Sequence, residues 1–129
     1  MRTKALAVVM ALVVFCVAGR VAAHHSWAAD YDGSKPVAVK GVVTKVEWTN
    51  PHTHVYIDST DGNGTVTRWN FEMASTLALE RGGWSRKTLN VGDRVSVEGF
   101  GGRAEITRAI VTSITMADGR ELFVAKPGT

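Results

Sequence analysis

Residues 47–58 read Glu-Trp-Thr-Asn-Pro-His-Thr-His-Val-Tyr-Ile-Asp, and the rest of the chain can be arranged around them. Asn50-Pro51 is a turn signal that ends one strand and precedes a second. In the second strand Val55 and Ile57 point to one face, because side chains alternate along a strand. The polar side chains of the opposite face are those of His52, His54, Tyr56 and Asp58. The stretch therefore predicts a half-buried sheet whose solvent face carries two histidines.

The strand before this turn is predicted to begin at Val37 and to bend at Gly41. Val37 and Val39 share one phase before the glycine. After the glycine, the apolar positions are Val42, Val46 and Trp48. A change of phase at a glycine is typical of a β-bulge, which lets a long strand curve around a barrel.

A third strand is predicted from Thr65 to Glu72, after a turn at residues 61–64. Trp69 and Phe71 alternate with polar residues, so both are expected in the core. Matching the apolar faces of the two strands sets their register. The expected pairs are Val55 with Trp69, His54 with Asn70, and His52 with Glu72.

One helix and two or three further strands complete the pattern. The helix is predicted over residues 73–81 and ends at Gly82-Gly83. Later strands are expected at residues 94–98, 104–115 and 121–124. This order predicts a mostly β fold, a small OB-like β-barrel of five to six strands with one short helix between strands 3 and 4. Trp27 and Trp84 are expected to pin the N-terminal segment and the helix exit onto this barrel.

Residues 1–23 have the composition of a secretory signal peptide. Arg2 and Lys4 are positive, residues 5–18 are apolar, and residues 21–23 are small. The apolar run is shorter than the roughly 20 residues that span a bilayer. We therefore predict a signal peptide at 1–23, an extended N-terminal segment at 24–36 and a barrel domain at 37–126. The protein is expected to be exported, periplasmic or secreted, with no membrane span after signal removal.

Removal of the predicted signal peptide makes the chain formally neutral. It takes three of the 15 basic residues and none of the 12 acidic ones, which leaves 12 of each. A neutral chain has no general attraction for nucleic acid, so we expect no such partner. Cys16, the only cysteine, is lost as well, which excludes disulfide and thiol chemistry. The remaining 106 of the 129 residues suit one small domain and indicate no oligomeric state.

The four histidines indicate a transition-metal site. Cleavage before His24 would give an N-terminal histidine whose amine and imidazole chelate one ion, and one more imidazole would complete a geometry that Cu(II) favours. His52 or His54 would supply that imidazole, and His25 is an alternative ligand. Glu72 would be a carboxylate at the edge of the site, or would form a hydrogen bond to one of the ligands. Cleavage after Ala22 would instead make His25 the third residue of the mature chain. A histidine in that position is another arrangement that suits copper.

Two other interpretations of the same surface remain open. A metal-free barrel could bind a small molecule, a peptide or a partner protein through the aromatic side chains of Trp48 and Tyr56. The sequence contains no nucleophile elbow, phosphate loop or HExxH motif, so we expect a binding protein rather than an enzyme. A copper-dependent oxidase built on the N-terminal histidine is the enzymatic alternative.

Four stretches of the chain resemble one uncharacterised family of small exported bacterial proteins. The predicted mature start, residues 24–29, reads His-His-Ser-Trp-Ala-Ala and resembles the His-His-Ser-aromatic-Ala opening of that family. The similarity continues through residues 41–52 and returns at 81–86 and 92–99. The sequence differs at Gly82, where the family usually has arginine. The resemblance implies an OB-like fold and export, and it implies no activity.

Overall fold

The computed structural model describes residues 27–122 and 124. The predictions for the signal peptide, His24 and His25 lie outside these residues. Two short helices, α1 and α2, and six strands, β1–β6, make up the described chain. In chain order they are α1 Trp27–Asp30, β1 Tyr31–Glu47, β2 His54–Thr60, β3 Val66–Glu72, α2 Thr76–Arg81, β4 Arg94–Gly102, β5 Arg108–Met116 and β6 Glu121–Leu122.

The strands form one sheet that closes on itself. Their order is β3-β2-β1-β4-β5-β6, and an additional pairing joins β3 to β5. All the other pairings are antiparallel, whereas β3 and β5 run parallel, with Asn70 opposite Arg108. Five strands closed in this way, with α2 between β3 and β4, confirm the predicted OB-like barrel.

Inward side chains of the barrel strands build a single core. Val55, Ile57 and Phe71 are completely buried, as their alternation with polar residues predicts. Leu79 of α2 and Trp84 close the core beside the helix exit. Trp27 stacks on Phe100 with ring centroids 6.0 Å apart. Both tryptophans therefore pin their segments to the barrel, as expected.

Helix α2 begins later than the predicted residue 73. Ser75 is its N-cap, and the Ser75 hydroxyl accepts a hydrogen bond from the Ala78 amide. Met73 and Ala74 stay extended because they bond to Thr53: the Met73 amide donates to the Thr53 carbonyl at 2.8 Å, and the Thr53 amide donates to the Ala74 carbonyl at 3.0 Å. The ladder between the segments that hold β2 and β3 thus continues past the end of β3.

Strand β1 differs from its prediction at both its start and its bulge. It begins at Tyr31, within the predicted lead-in segment, rather than at Val37. The register between β1 and β2 shifts between Val43 and Lys45, so Thr44 is the bulged residue and the predicted bulge at Gly41 is wrong. Gly41 has another reason to be glycine: a Cβ there would lie 2.3 Å from the Asp58 carbonyl oxygen.

The predicted register between β2 and β3 is wrong by two residues. Val55 pairs with Phe71 and His54 pairs with Glu72. The connecting loop is longer than the prediction requires, because the Asp61 carboxylate accepts hydrogen bonds from the amides of Asn63 and Thr65. A two-residue shift keeps every side chain on its face. Phe71 is therefore buried as expected, and Trp69 stacks on it while packing against the core.

Candidate functional site

The candidate site lies at the barrel end where the β1–β2 loop meets the start of β5. Asn50 of that loop accepts hydrogen bonds from the amide and the hydroxyl of Thr76, at 3.1 and 3.0 Å. This contact ties the loop to the N-terminus of α2. Because Thr53 and Val55 are completely buried, His52 and His54 project together from the outer face. In OB barrels this loop and the β2–β3 surface are the usual ligand-binding region.

Glu72 is the centre of a group of four side chains that we call the Glu72 cluster: Tyr31, His52, Glu72 and Arg108. Its Oε2 accepts hydrogen bonds from the Tyr31 hydroxyl and from Arg108 Nη2, the latter at 2.6 Å. Its Oε1 lies 2.5 Å from Nδ1 of His52. Arg108 Nε also donates to the Tyr31 hydroxyl at 3.0 Å. Only 6% of Glu72 is exposed.

The Glu72 cluster holds its carboxylate in the charged form. Burial by itself would raise the pKa of Glu72, but hydrogen bonds from Tyr31 and Arg108 and the charges of His52 and Arg108 outweigh it and lower that pKa. Burial and the Glu72 carboxylate raise the pKa of the Tyr31 hydroxyl far above its usual value. The hydrogen bond to Glu72 raises the pKa of Arg108. At neutral pH Glu72 is therefore an anion facing a permanent cation and a neutral phenol.

Both histidines of the site turn the same ring nitrogen toward β3. Nδ1 of His52 faces Glu72, and Nδ1 of His54 lies 2.9 Å from Oδ1 of Asn70. Both partners are hydrogen-bond acceptors, so Nδ1 is the protonated nitrogen in a neutral ring. Within residues 27–122 and 124, Nε2 of neither ring has a hydrogen-bond partner. With 52% of the His52 side chain exposed, this pair can offer two unprotonated nitrogens to a ligand.

The two aromatic residues of the alternative interpretation lie in different surroundings. Trp48 packs against the core and is half-buried. Tyr56 lies on the outer face, where its hydroxyl donates to Glu47 at 3.2 Å and Lys45 sits over its ring, 5.2 Å from the centroid. The stacked aromatic pairs found among the described residues, Trp27 with Phe100 and Trp69 with Phe71, do not include Trp48 or Tyr56.

The described residues do not form a complete metal site by themselves. Within residues 27–122 and 124, no group of three or more His, Cys, Asp or Glu side chains is arranged to hold a metal ion. The predicted site also needs His24 or His25, which lie outside that range. Among the predicted site residues, the structure therefore places His52, His54 and Glu72 together.

Tyr31 and Arg108 belong to the Glu72 cluster, and the sequence did not indicate either of them. Tyr31 lies in the polar stretch that we interpreted as a lead-in. Arg108 reaches Glu72 because the parallel pairing of β3 with β5 places Ile110 opposite Glu72 and Arg108 opposite Asn70. If the pairing of β3 with β5 had been known, Arg108, the first residue of β5, could have been predicted to lie near Glu72.

The fold and these contacts define a small OB-type barrel with a histidine and carboxylate surface at one end. Residues 11–110 match the Family of unknown function (DUF6152), and the chain belongs to that family. No curated protein and no solved structure matches the chain. In the part of the chain that the structure describes, no helix is long and apolar enough to cross a membrane.

Proposed function

We propose that the protein is an exported binding protein for a transition-metal ion, with Cu(II) as the first candidate. Nε2 atoms of His52 and His54 would be two of the ligands. The amine and imidazole of His24 would complete the site, with His25 as an alternative ligand. The observation that carries the proposal is the pair of contacts from Nδ1 of each strand histidine to an oxygen acceptor on β3.

Those two contacts match what a metal-binding imidazole requires. A histidine ligand binds through one nitrogen while its other N–H donates to a carboxylate or a carbonyl, which fixes the tautomer and the ring orientation. Glu72 supports His52 in this way, and Asn70 supports His54. A carboxylate acceptor also makes the imidazole a better electron donor. Both features favour a ligand role over a merely solvated His-x-His pair.

The rigidity of Glu72 strengthens this interpretation. An exposed carboxylate would rotate freely and orient the imidazole poorly. Glu72 is instead buried and held by Tyr31 and Arg108, so the acceptor for His52 has a fixed position. This support for His52 combines residues from the three strands β1, β3 and β5, whereas an incidental surface contact involves only two side chains.

The proposal requires the N-terminal histidines to reach the surface that carries His52 and His54. Trp27 stacks on Phe100, which pairs with Ile110, which in turn pairs with Glu72. Two strand spacings, about 10 Å in all, therefore separate the Phe100 and Glu72 backbones. Residues 24–26 span up to about 10 Å when extended. An amine and two or three imidazoles are ligands that Cu(II) prefers in tetragonal geometry.

The test is a Cu(II) titration of protein that has been exported and processed by a bacterial host, with the N-terminus verified by mass spectrometry. Calorimetry would measure stoichiometry and affinity, and EPR would detect nitrogen hyperfine structure. We expect one ion per chain, with binding weakened at least tenfold in the His52→Ala/His54→Ala double variant. A chain extended by two residues at the processed N-terminus should be weakened as well.

Tyr56→Phe is the matched control, because Tyr56 lies on the same outer face and its hydroxyl donates to Glu47 rather than to either histidine. It should bind like the unmodified protein. Binding no tighter than that of a short peptide with the same N-terminus would refute the metal proposal. The metal-free module that uses the Tyr56 surface would then be the better account.

A further inference from the structure

A groove lies at the opposite end of the barrel from the Glu72 cluster. It is bordered by the middle of β1, the ends of β2 and β5 and the start of β4, and it has a volume of about 350 Å³. The β1–β2 loop and the start of β5 form the other end. Nothing in the proposed metal site uses this groove.

Two cationic side chains lie on the wall of the groove. Lys40 and Arg94 are both exposed, and within residues 27–122 and 124 neither side chain makes an ion pair or a hydrogen bond. Val42 pairs with Arg94 and Lys40 pairs with Ser96, so Lys40 and Arg94 are diagonal neighbours on one face. Such neighbours lie about 7–8 Å apart at the backbone, close enough for two long side chains to reach one anion.

Unused hydroxyl groups lie beside these cations. Ser96 pairs with Thr115 across β4 and β5, and both line the groove. In the described part of the chain, neither hydroxyl has a hydrogen-bond partner. A hydroxyl can donate to an anionic oxygen, so Lys40, Ser96 and Thr115 present a row of donors to the groove. The nearest carboxylates beside this row are those of Glu121, which pairs with Thr115, and Glu98, a diagonal neighbour of Lys40; neither lines the groove.

The one carboxylate of the groove wall carries its own counter-charge. Asp58 accepts from Arg68 through both oxygens, at 2.8 Å from Nε and 2.9 Å from Nη2. This bidentate pair is close to neutral as a unit. Among the described side chains that line the groove, the charges without a counter-charge are therefore the positive ones of Lys40 and Arg94.

We propose that this groove binds a small organic oxyanion, a carboxylate or a phosphate ester. Arg94 and Lys40 bind its anionic oxygens, and Ser96 and Thr115 donate further hydrogen bonds. Val42 and Met116, which also line the groove, contact the carbon part of the molecule. Guanidinium and ammonium groups bind carboxylate and phosphate alike.

The test is an NMR titration of the ¹⁵N-labelled full-length processed protein with citrate and, separately, glycerol phosphate. Sodium chloride at matched ionic strength is the reference. We expect saturable shifts at the backbone amides of Gly41, Val95 and Ser96. The Lys40→Gln/Arg94→Gln double variant should weaken binding at least tenfold. Comparing the two probes decides between the carboxylate and the phosphate.

Arg81→Gln/Lys87→Gln is the control for net charge, because both side chains are exposed, lie outside the groove and make no ion pair in the described residues. It should bind both probes like the unmodified protein. Shifts that grow linearly with concentration, or fall equally in the two double variants, would overturn the proposal. Saturable binding that survives loss of Lys40 and Arg94 would overturn it too. These results are independent of the copper titration, since His52 and His54 do not line the groove.

Discussion

Glu72 contributes both a charge to the candidate site and hydrogen bonds to the barrel. Tyr31 and Arg108 donate to one of its oxygens, and His52 contacts the other. These contacts more than offset the effect of burial, so the pKa of Glu72 in the folded protein lies below its ordinary value of 4.5. A carboxyl with a lowered pKa stabilises the folded state while it is ionised.

Replacing Glu72 with glutamine should therefore destabilise the protein in a pH-dependent way. The contribution of Glu72 is fully present above pH 4.5 and is lost as the pH falls through its lower folded-state pKa. We expect Glu72→Gln to lower the free energy of unfolding by about 1–3 kcal/mol at pH 7. The difference from the unmodified protein should shrink as the pH falls below 4.5.

Urea denaturation at pH 7, 5, 4 and 3 measures this difference. Glu80→Gln is the control, since Glu80 is exposed on α2 and its carboxylate makes no hydrogen bond or ion pair with the described residues. It should leave the unfolding free energy nearly unchanged at every pH. A Glu72→Gln penalty that stays constant from pH 7 to pH 3 would contradict the assigned direction of the pKa shift.

Thr53, in the loop beside the Glu72 cluster, is expected to lower the stability of the folded protein. Its side-chain oxygen is fully buried and has no hydrogen-bond partner in the described residues, whereas its backbone groups bond to Met73 and Ala74. Thr53→Val removes the unsatisfied oxygen and keeps the backbone bonds. We expect it to raise the free energy of unfolding by about 1 kcal/mol.

Thr44→Val makes the same chemical change with the opposite expected result. The Thr44 hydroxyl donates to the Tyr56 carbonyl at 3.3 Å, so its loss should lower the free energy of unfolding by about 0.5–1 kcal/mol. Both variants can be compared by thermal and urea denaturation. Equal effects of the two substitutions would show that β-propensity rather than hydrogen bonding controls them.

At the scale of strands, the alternation of apolar residues predicts much of the barrel. Val55, Ile57 and Phe71 lie in the core as their spacing indicates. Register is harder, because a slip of two residues leaves every side chain on its face. In the observed register, Asp61 accepts hydrogen bonds from two amides of the β2–β3 loop, and the alternation of apolar residues does not predict these bonds.

The same limit applies to β1 and its bulge. Gly41 interrupts the apolar pattern, and a glycine there is explained equally well by a bulge or by a close backbone contact. The structure has the close contact, with Asp58 of β2, and Thr44 is the bulged residue. Distinguishing the two from sequence requires knowing where the β2 backbone passes.

Gly99 offers the clearest test of close packing between strands. A Cβ at this position would lie 1.9 Å from the carbonyl oxygen of Ile110 and 3.0 Å from its carbonyl carbon. The clash is with backbone of the paired strand β5, which cannot move without breaking the β4–β5 ladder. We expect Gly99→Ala to destabilise the fold by about 3 kcal/mol.

Gly62→Ala is its control, because a Cβ there has no neighbour within 4 Å. Its unfolding free energy should stay within about 0.5 kcal/mol of the unmodified protein. Urea denaturation at pH 7 compares both variants. A Gly99→Ala protein as stable as the Gly62→Ala protein would mean that β4 and β5 pair less closely than the structure shows.

The whole molecule is needed to assemble the Glu72 cluster. Tyr31 and Arg108 are 77 positions apart in the chain and still form a hydrogen bond. The sequence predicted the histidine pair because its members are two residues apart on one strand. It did not predict Tyr31 or Arg108, because their approach depends on closure of the barrel through β3 and β5. Residues that meet only because the barrel closes are far apart in the sequence, so no local sequence pattern indicates their contact.

Metal binding to this assembly should therefore stabilise the barrel as a unit. A ligand that binds only the folded state adds about 2.7 kcal/mol at a free concentration 100 times its Kd. For a domain of this size, that corresponds to a rise in Tm on the order of 10 °C. We expect Cu(II) to produce such a rise in the processed protein, measured by circular dichroism.

The increment in Tm, rather than the absolute value, is compared among variants, since His52→Ala/His54→Ala also removes a contact to Glu72. That double variant and the chain extended at its N-terminus should both lose the increment, whereas Tyr56→Phe should keep it. An equal rise in all four proteins would place the copper elsewhere on the molecule. A rise lost only in the strand double variant would retain His52 and His54 as ligands and remove His24 from the site, because the extended chain would then bind as tightly as the processed one.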